Sequence, residues 1–192
     1  MATSRITKSS ILQGFPKSRS LLAGNAYYIP PSYESIATST PSGVATITFS
    51  SIPSTYSSLQ LRFSLTATGT QTLAVQLNGD TTAGNYATHG LSGNGTSAFA
   101  FGTINSGKLG VVQYGRTRVD PNVGIFDLVD YASTTKNKTS RSIFGTDNNG
   151  VAYGTIEMDS GVWLSTTAVT SLTFLANSGT FTGTIALYGI KG

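Results

Sequence analysis

His89 is the chain's one histidine, and Ser92 follows it three residues later. Nucleophilic hydrolysis needs a base beside its nucleophile and a carboxylate to orient that base. No G-x-S-x-G elbow surrounds Ser92, and Tyr86-Ala87-Thr88-His89-Gly90 reads as a strand end with the imidazole at the surface or rim. The eight acids are Glu34, Asp80, Asp120, Asp127, Asp130, Asp147, Glu157 and Asp159. Glycoside hydrolysis needs two carboxyls facing one bond. Asp127 and Asp130 are three apart on an expected strand and point to opposite faces, since side chains alternate there. Glu157 and Asp159 share a face, with one of them near a strand end. No acid pair stands out, and the expected role of these acids is to pair with Arg116, Arg118 or Arg141.

Metal chemistry finds little support. The chain has no cysteine, so thiolate sites and disulfides are excluded. Asp80 and Asp147-Asn148-Asn149-Gly150 lack the alternating acids and distal glutamate of a calcium loop, and turn geometry accounts for both. No glycine-rich stretch opens a helix, so there is no phosphate loop. The expectation is a protein without catalytic residues, metal or cofactor. Trp163, the only tryptophan, and the nine tyrosines supply the remaining recognition chemistry. Trp163 stacks on a sugar if exposed and anchors the core if buried, and burial is the commoner fate. Tyr86, His89, Tyr114 and Trp163 form the candidate ligand rim.

These groups must be held by a scaffold of strands. Charged residues are 10% of the chain, against about 25% in ordinary soluble domains, and Ser, Thr and Gly fill the difference. Val, Ile, Phe, Tyr and Thr suit a pleated, half-buried surface, and they recur in alternation from residue 33 onward. Expected strands lie at 33–40, 44–49, 59–66, 73–77, 109–114, 123–130, 140–144, 151–158, 169–175 and 181–190. Leu59, Leu61, Phe63 and Leu65 alternate with Gln60, Arg62, Ser64 and Thr66, which marks one buried face. The turn at Thr68-Gly69-Thr70 joins this run to Leu73, Val75 and Leu77 as an expected hairpin. The stretch 81–107 reads as loop-rich. Nine or ten short strands without a convincing helix predict an all-β chain, an antiparallel β-sandwich of jelly-roll type, spanning 34–192. An immunoglobulin-like sandwich is the weaker alternative.

Residues 1–33 differ. They hold Arg5, Lys8, Lys17 and Arg19 and no carboxylate, while the rest carries eight basic and eight acidic residues, so the net charge of +4 sits entirely in this segment. Gly14, Pro16, Gly24, Pro30 and Pro31 break any periodicity. Ile11, Leu12, Phe15, Leu21, Leu22, Tyr27 and Tyr28 are too many apolar groups for a solvated tail. The pattern predicts an extended basic arm that orders on a partner, pairing its cations with acids. Four phosphate contacts would give only weak, salt-sensitive binding, so nucleic acid is not the expected partner. No run approaches the ~20 apolar residues of a membrane span. Ile11-Leu12 and Leu21-Leu22 are isolated, so no secretory signal is expected, and Met1 reads as the start of a complete, cytoplasmically made product.

Four segments together carry a family resemblance. They are Ile47-Thr48-Phe49-Ser50-Ser51-Ile52-Pro53-Ser54-Thr55-Tyr56 with Leu59-Gln60-Leu61-Arg62, Leu77-Asn78-Gly79-Asp80 with Asn85-Tyr86-Ala87-Thr88-His89, Phe126-Asp127-Leu128-Val129-Asp130-Tyr131 with Lys138-Thr139-Ser140-Arg141, and the ending Leu187-Tyr188-Gly189-Ile190-Lys191-Gly192. Over 33–192 the chain resembles small structural proteins of tailed bacteriophages of aquatic bacteria, a tail-fibre-like or capsid-decoration-like group. The resemblance implies a non-enzymatic virion protein on the particle exterior, a dimer or trimer, with other virion proteins as partners. Two placements stay open: a decoration or cement protein clamped to the capsid by its arm, or a tail-fibre or baseplate module touching host glycans. A soluble carbohydrate-binding sandwich is the third reading. The arm at 1–33 is not part of the resemblance.

Overall fold

The structure, a computed structural model, describes residues 32–68, 71–104, 106–117, 122–146 and 154–191; the side chains of 71, 104 and 113–117 also fall outside the description. Twelve strands run through it. In chain order they are β1 (Tyr33–Ser39), β2 (Thr46–Phe49), β3 (Ser58–Ala67), β4 (Gln71–Leu77), β5 (Tyr86–Gly93), β6 (Ala98–Ile104), β7 (Leu109–Thr117), β8 (Asn122–Val129), β9 (Lys138–Thr146), β10 (Thr155–Trp163), β11 (Leu172–Ala176) and β12 (Phe181–Ile190). A single 3-10 turn, Ala83–Asn85, is the only helical element among the described residues.

Two antiparallel sheets result, ordered β1-β12-β3-β8-β9-β10-β5-β6 and β2-β11-β4-β7. Setting aside β5, β6, β9 and β10 leaves eight strands. Numbered by sequence, they lie in the orders 1-8-3-6 and 2-7-4-5. Their rungs 1·8, 2·7, 3·6 and 4·5 are those of one long antiparallel hairpin rolled onto itself, which is a jelly roll. The four additional strands come from two insertions and widen one sheet beyond β8. The expected all-β jelly-roll sandwich is therefore the fold of the body.

The core lies between the sheets. On β3 the expected inward residues Leu59, Leu61, Phe63 and Leu65 are buried. Phe63 meets Phe174 of the opposite sheet at 5.2 Å between ring centroids, and Phe174 meets Phe181 edge-on at 5.6 Å. Gly183 has φ 145°, and a Cβ there would come within 2.2 Å of the Ser64 carbonyl, so only glycine lets β12 approach β3. Tyr131 is fully buried; its hydroxyl donates to the Pro53 carbonyl at 2.6 Å and accepts from the Tyr56 amide.

Two sequence expectations are corrected. β3 and β4 are not a hairpin: they belong to different sheets, β3 pairing with β12 and β8, β4 with β11 and β7. Alternation shows that each strand has one buried face, and two such faces can meet across a sandwich as readily as share a sheet. The stretch 81–107 is not mainly loop. It contains β5 and β6, which pair over seven residues from Ala87↔Ile104 to Gly93↔Ala98. The Asp147-Asn148-Asn149-Gly150 turn lies outside the described residues, though β9 and β10, the strands it was expected to join, do pair antiparallel.

Candidate functional site

The arm residues Arg5, Lys8, Ile11, Leu12, Phe15, Lys17, Arg19, Leu21, Leu22, Tyr27 and Tyr28 all lie outside the described residues. Of the four rim candidates, Tyr86 is corrected, and Trp163 meets its commoner expectation, burial. Tyr86 is 1% and Trp163 3% exposed, and their rings stack at 6.2 Å. They cannot offer a face to a ligand. Both are held by Asp80, which follows the Asn78-Gly79 turn where both residues have positive φ. Asp80 Oδ2 accepts from Trp163 Nε1 at 2.7 Å and from Asn85 Nδ2 at 2.8 Å, Oδ1 accepts from the Thr82 amide, and the Asp80 carbonyl accepts from the Tyr86 hydroxyl. Desolvation pushes the Asp80 carboxyl up, but the hydrogen bonds from Asn85, Trp163 and Thr82 outweigh it and hold the pKa at about 2. Burial pushes the Tyr86 phenol up to about 12. Asp80 is thus a structural hub and, as expected, part of a turn. Tyr114 lies on β7 with its side chain outside the description. His89 alone of the four is shown exposed.

The acids expected to be structural divide in two. Asp127 accepts from Arg141 Nε at 3.0 Å and from Gln60 Nε2 at 2.7 Å. Glu157 and Asp159, which share a face as expected, turn that face inward and are 1% and 5% exposed. Burial first, then the Glu157 charge, pushes the Asp159 carboxyl up to about 8, against the hydrogen bond that Ser142 Oγ donates to its Oδ2 at 3.2 Å. Asp159 Oδ1 has no hydrogen-bond partner among the described residues. A protonated Asp159 donating to Glu157 would satisfy it. Two neighbouring carboxyls are the raw material of acid–base catalysis, but these two are buried beneath the sheet against β7.

Turning Glu157 and Asp159 inward turns Ile156 and Met158 outward, each 56% exposed. β10 is therefore inside-out, with acids in the interior and large apolar groups in solvent. Its neighbours follow suit: Leu91 of β5, Ile143 of β9 and Val123 of β8 are 61%, 44% and 53% exposed on the same outer face. The strand register aligns these residues in rows. One row runs Ile125–Ile143–Met158–Leu91–Ala100 across β8, β9, β10, β5 and β6. The next runs Val123–Gly145–Ile156–Gly93–Ala98. On the other side a polar row runs Tyr188–Gln60–Asp127–Arg141–Ser160–His89. A shallow depression of ≈ 760 Å³ opens at the second row, with Gly93, Val123, Gly145 and Ile156 in its lining. No ionisable residue stands in either row between β8 and β6, and on β3 the first row continues into Arg62. Contiguous apolar surface of this kind marks an interaction face.

On β3, beside Ile125 in the first row, the Arg62 guanidinium lies 5.0 Å from the Tyr33 ring centroid and 5.2 Å from that of Tyr188. Its Nε donates to Gln60 Oε1 at 2.6 Å. None of the exposed apolar residues of this face was singled out from the sequence; in the polar row His89 was a rim candidate, and Asp127 and Arg141 were expected ion-pair partners. The available signal was the pairing of Ile156 and Met158 with Glu157 and Asp159 on one strand, where apolar and acidic residues compete for the interior.

No family model, no curated protein and no solved structure matches the chain.

Proposed function

We propose that this chain is a non-enzymatic structural protein of a bacteriophage virion, displayed on the particle exterior and docked by residues 1–33 as a capsid decoration or cement protein. The observation that carries this reading is the eight-strand jelly-roll order 1-8-3-6 and 2-7-4-5, an architecture that recurs in viral shell domains. Three further features support it. The net positive charge is confined to residues 1–33, suited to an acidic groove between shell subunits. The body is formally neutral, so identical copies can crowd together without charge repulsion. The widened sheet spends its exposed face on apolar contact groups rather than on converging catalytic ones. The protein would be made in the host cytoplasm and function in the virion.

The test is a phage encoding the chain without residues 1–30. The truncated protein should accumulate folded in the lysate and be missing from purified particles. Incorporation at the normal level would end the anchoring role of the arm.

A second reading, a tail-fibre or baseplate module that touches host glycans, is favoured by the Tyr33–Arg62–Tyr188 cluster and its planar polar neighbours Gln60 and Asp127. Aromatic rings beside planar hydrogen-bonding groups suit sugar recognition. The third reading, a soluble sugar-binding sandwich, needs an exposed Trp163 or converging acids; Trp163 is buried, and so are the neighbouring Glu157 and Asp159.

A further inference from the structure

We infer that the outer face of the widened sheet is a homodimer interface, in which two copies pack face to face about a two-fold axis running along the strands between β9 and β10. The inference stands on strand register and surface shape and does not depend on the virion reading.

A two-fold interface must be self-complementary: residue i meets residue j, and j meets i. An axis parallel to the strands and midway between β9 and β10 sets β9 over β10 of the second copy and β8 over its β5, each row meeting itself. In the first apolar row, Ile143 then faces Met158 of the second copy and Ile125 faces its Leu91. In the second, Ile156 faces Gly145 and Val123 faces Gly93, so each large side chain meets a glycine. In the polar row, Asp127 faces His89 and Arg141 faces Ser160. Between β8 and β5 apolar groups meet apolar groups, bulk meets space and an acid meets an imidazole; at the margin Arg62 of β3 faces Ala100 of β6, and no like charges are opposed. The space is real: a Cβ built on Gly145 has nothing within 4 Å, and Gly145 and Ile156 both line the depression at this row.

The area suffices. Six strands from β3 to β6, at about 4.8 Å spacing, give a width of about 24 Å, and the three rows with their side chains extend about 20 Å along the strands. That is on the order of 500 Å² per copy and 1,000 Å² in total, the threshold for a biological interface and the size of a weak dimer. Sheets with the same twist pack face to face with their strands nearly aligned, as this axis requires. The inside-out pattern of β10 also gains a reason. Burying two carboxyls to expose Ile156 and Met158 costs stability in an isolated copy, and such local violations of the burial rule mark functional surfaces.

The experiment is sedimentation velocity on the full chain from about 1 to 100 µM, with two substitutions and a cross-linking arm. The unaltered chain should sediment as a dimer at the upper end. Gly145→Phe fills the space into which Ile156 of the second copy must seat, with its Cβ meeting nothing in its own chain, and it should weaken dimerisation at least about tenfold with unchanged circular dichroism. Met158→Lys should do the same by placing a charge in the apolar row. Because the chain has no cysteine, Ser160→Cys gives a unique thiol near the axis, and a short bis-maleimide should link it to its copy. Thr173→Cys, on β11 of the other sheet, should not link. A monomer at 100 µM overturns the proposal. So does a dimer that keeps its affinity in both Gly145→Phe and Met158→Lys, which would place the contact on another surface. Linkage of the Thr173→Cys variant in preference to the Ser160→Cys variant overturns it equally.

Discussion

Trp163 and Asp80, 83 residues apart, are joined by a 2.7 Å hydrogen bond from the indole Nε1 to a carboxylate oxygen. The bond ties the end of β10 to the turn after β4, and so ties the inserted strands to the jelly roll. Asp80→Ala leaves the indole N–H, the Asn85 amide and the Thr82 amide without their acceptor. The expected cost is about 2–4 kcal/mol in a urea titration. Trp163→Phe should cost less, because it removes the donor along with part of the ring.

Asp80 also sets the acid limit of stability. Its folded pKa, about 2, lies below its ordinary value of 3.8. The unfolded chain therefore binds the proton first as pH falls. The Asp80 contribution is complete above the unfolded value and is lost as pH drops through the folded one. Thermal melts between pH 5 and pH 2 should show this loss, and Asp80→Asn should flatten it.

Asp159 acts with the opposite sign. Its folded pKa, about 8, lies above its ordinary 3.8. Between these values the folded chain holds a proton that the unfolded chain has released, so stability declines as pH rises from about 4 to 8. Asp159→Asn mimics the protonated acid and should remove most of that decline, making the variant the more stable protein at pH 8. Equal pH slopes in the two proteins would contradict a protonated Asp159.

The centre of the sandwich should be the least tolerant region. Phe174 is fully buried and touches Phe63 and Phe181, so Phe174→Ala should cost about 3–5 kcal/mol. Gly183→Ala should cost about 1–3 kcal/mol through backbone strain at φ 145°, before the clash with Ser64 is counted. Denaturant midpoints measure both.

The eight strands of the roll were largely legible, because residues such as Leu59, Leu61, Phe63 and Leu65 alternate cleanly against polar neighbours. Sheet membership was not. Alternation reveals that a strand has a buried side but not which sheet it joins, and a short glycine turn serves a hairpin or a crossing between sheets equally well. β5 and β6 were missed because Gly90, Gly93 and Gly102 weaken the strand signal. Gly90 has a specific reason to be glycine: a Cβ there would lie 2.5 Å from the Met158 carbonyl and 2.7 Å from Asp159 Oδ1. Tyr86 was placed at the rim as an aromatic group near a strand end and Trp163 only if exposed, and the Asp80 hub draws both inward by satisfying their polar atoms. The outer face stayed hidden because it depends on β8, β9, β10, β5 and β6 lying side by side, an order that only the folded sheet supplies.

Gold-labelled antibody imaging of intact particles, from a phage encoding this chain, tests the central claim most directly. The account predicts label on the particle exterior, spread over the head. Label confined to the tail tip would move the arm to the tail and make Tyr33, Arg62 and Tyr188 the next residues to alter. Particles carrying no label at either place would contradict the virion role.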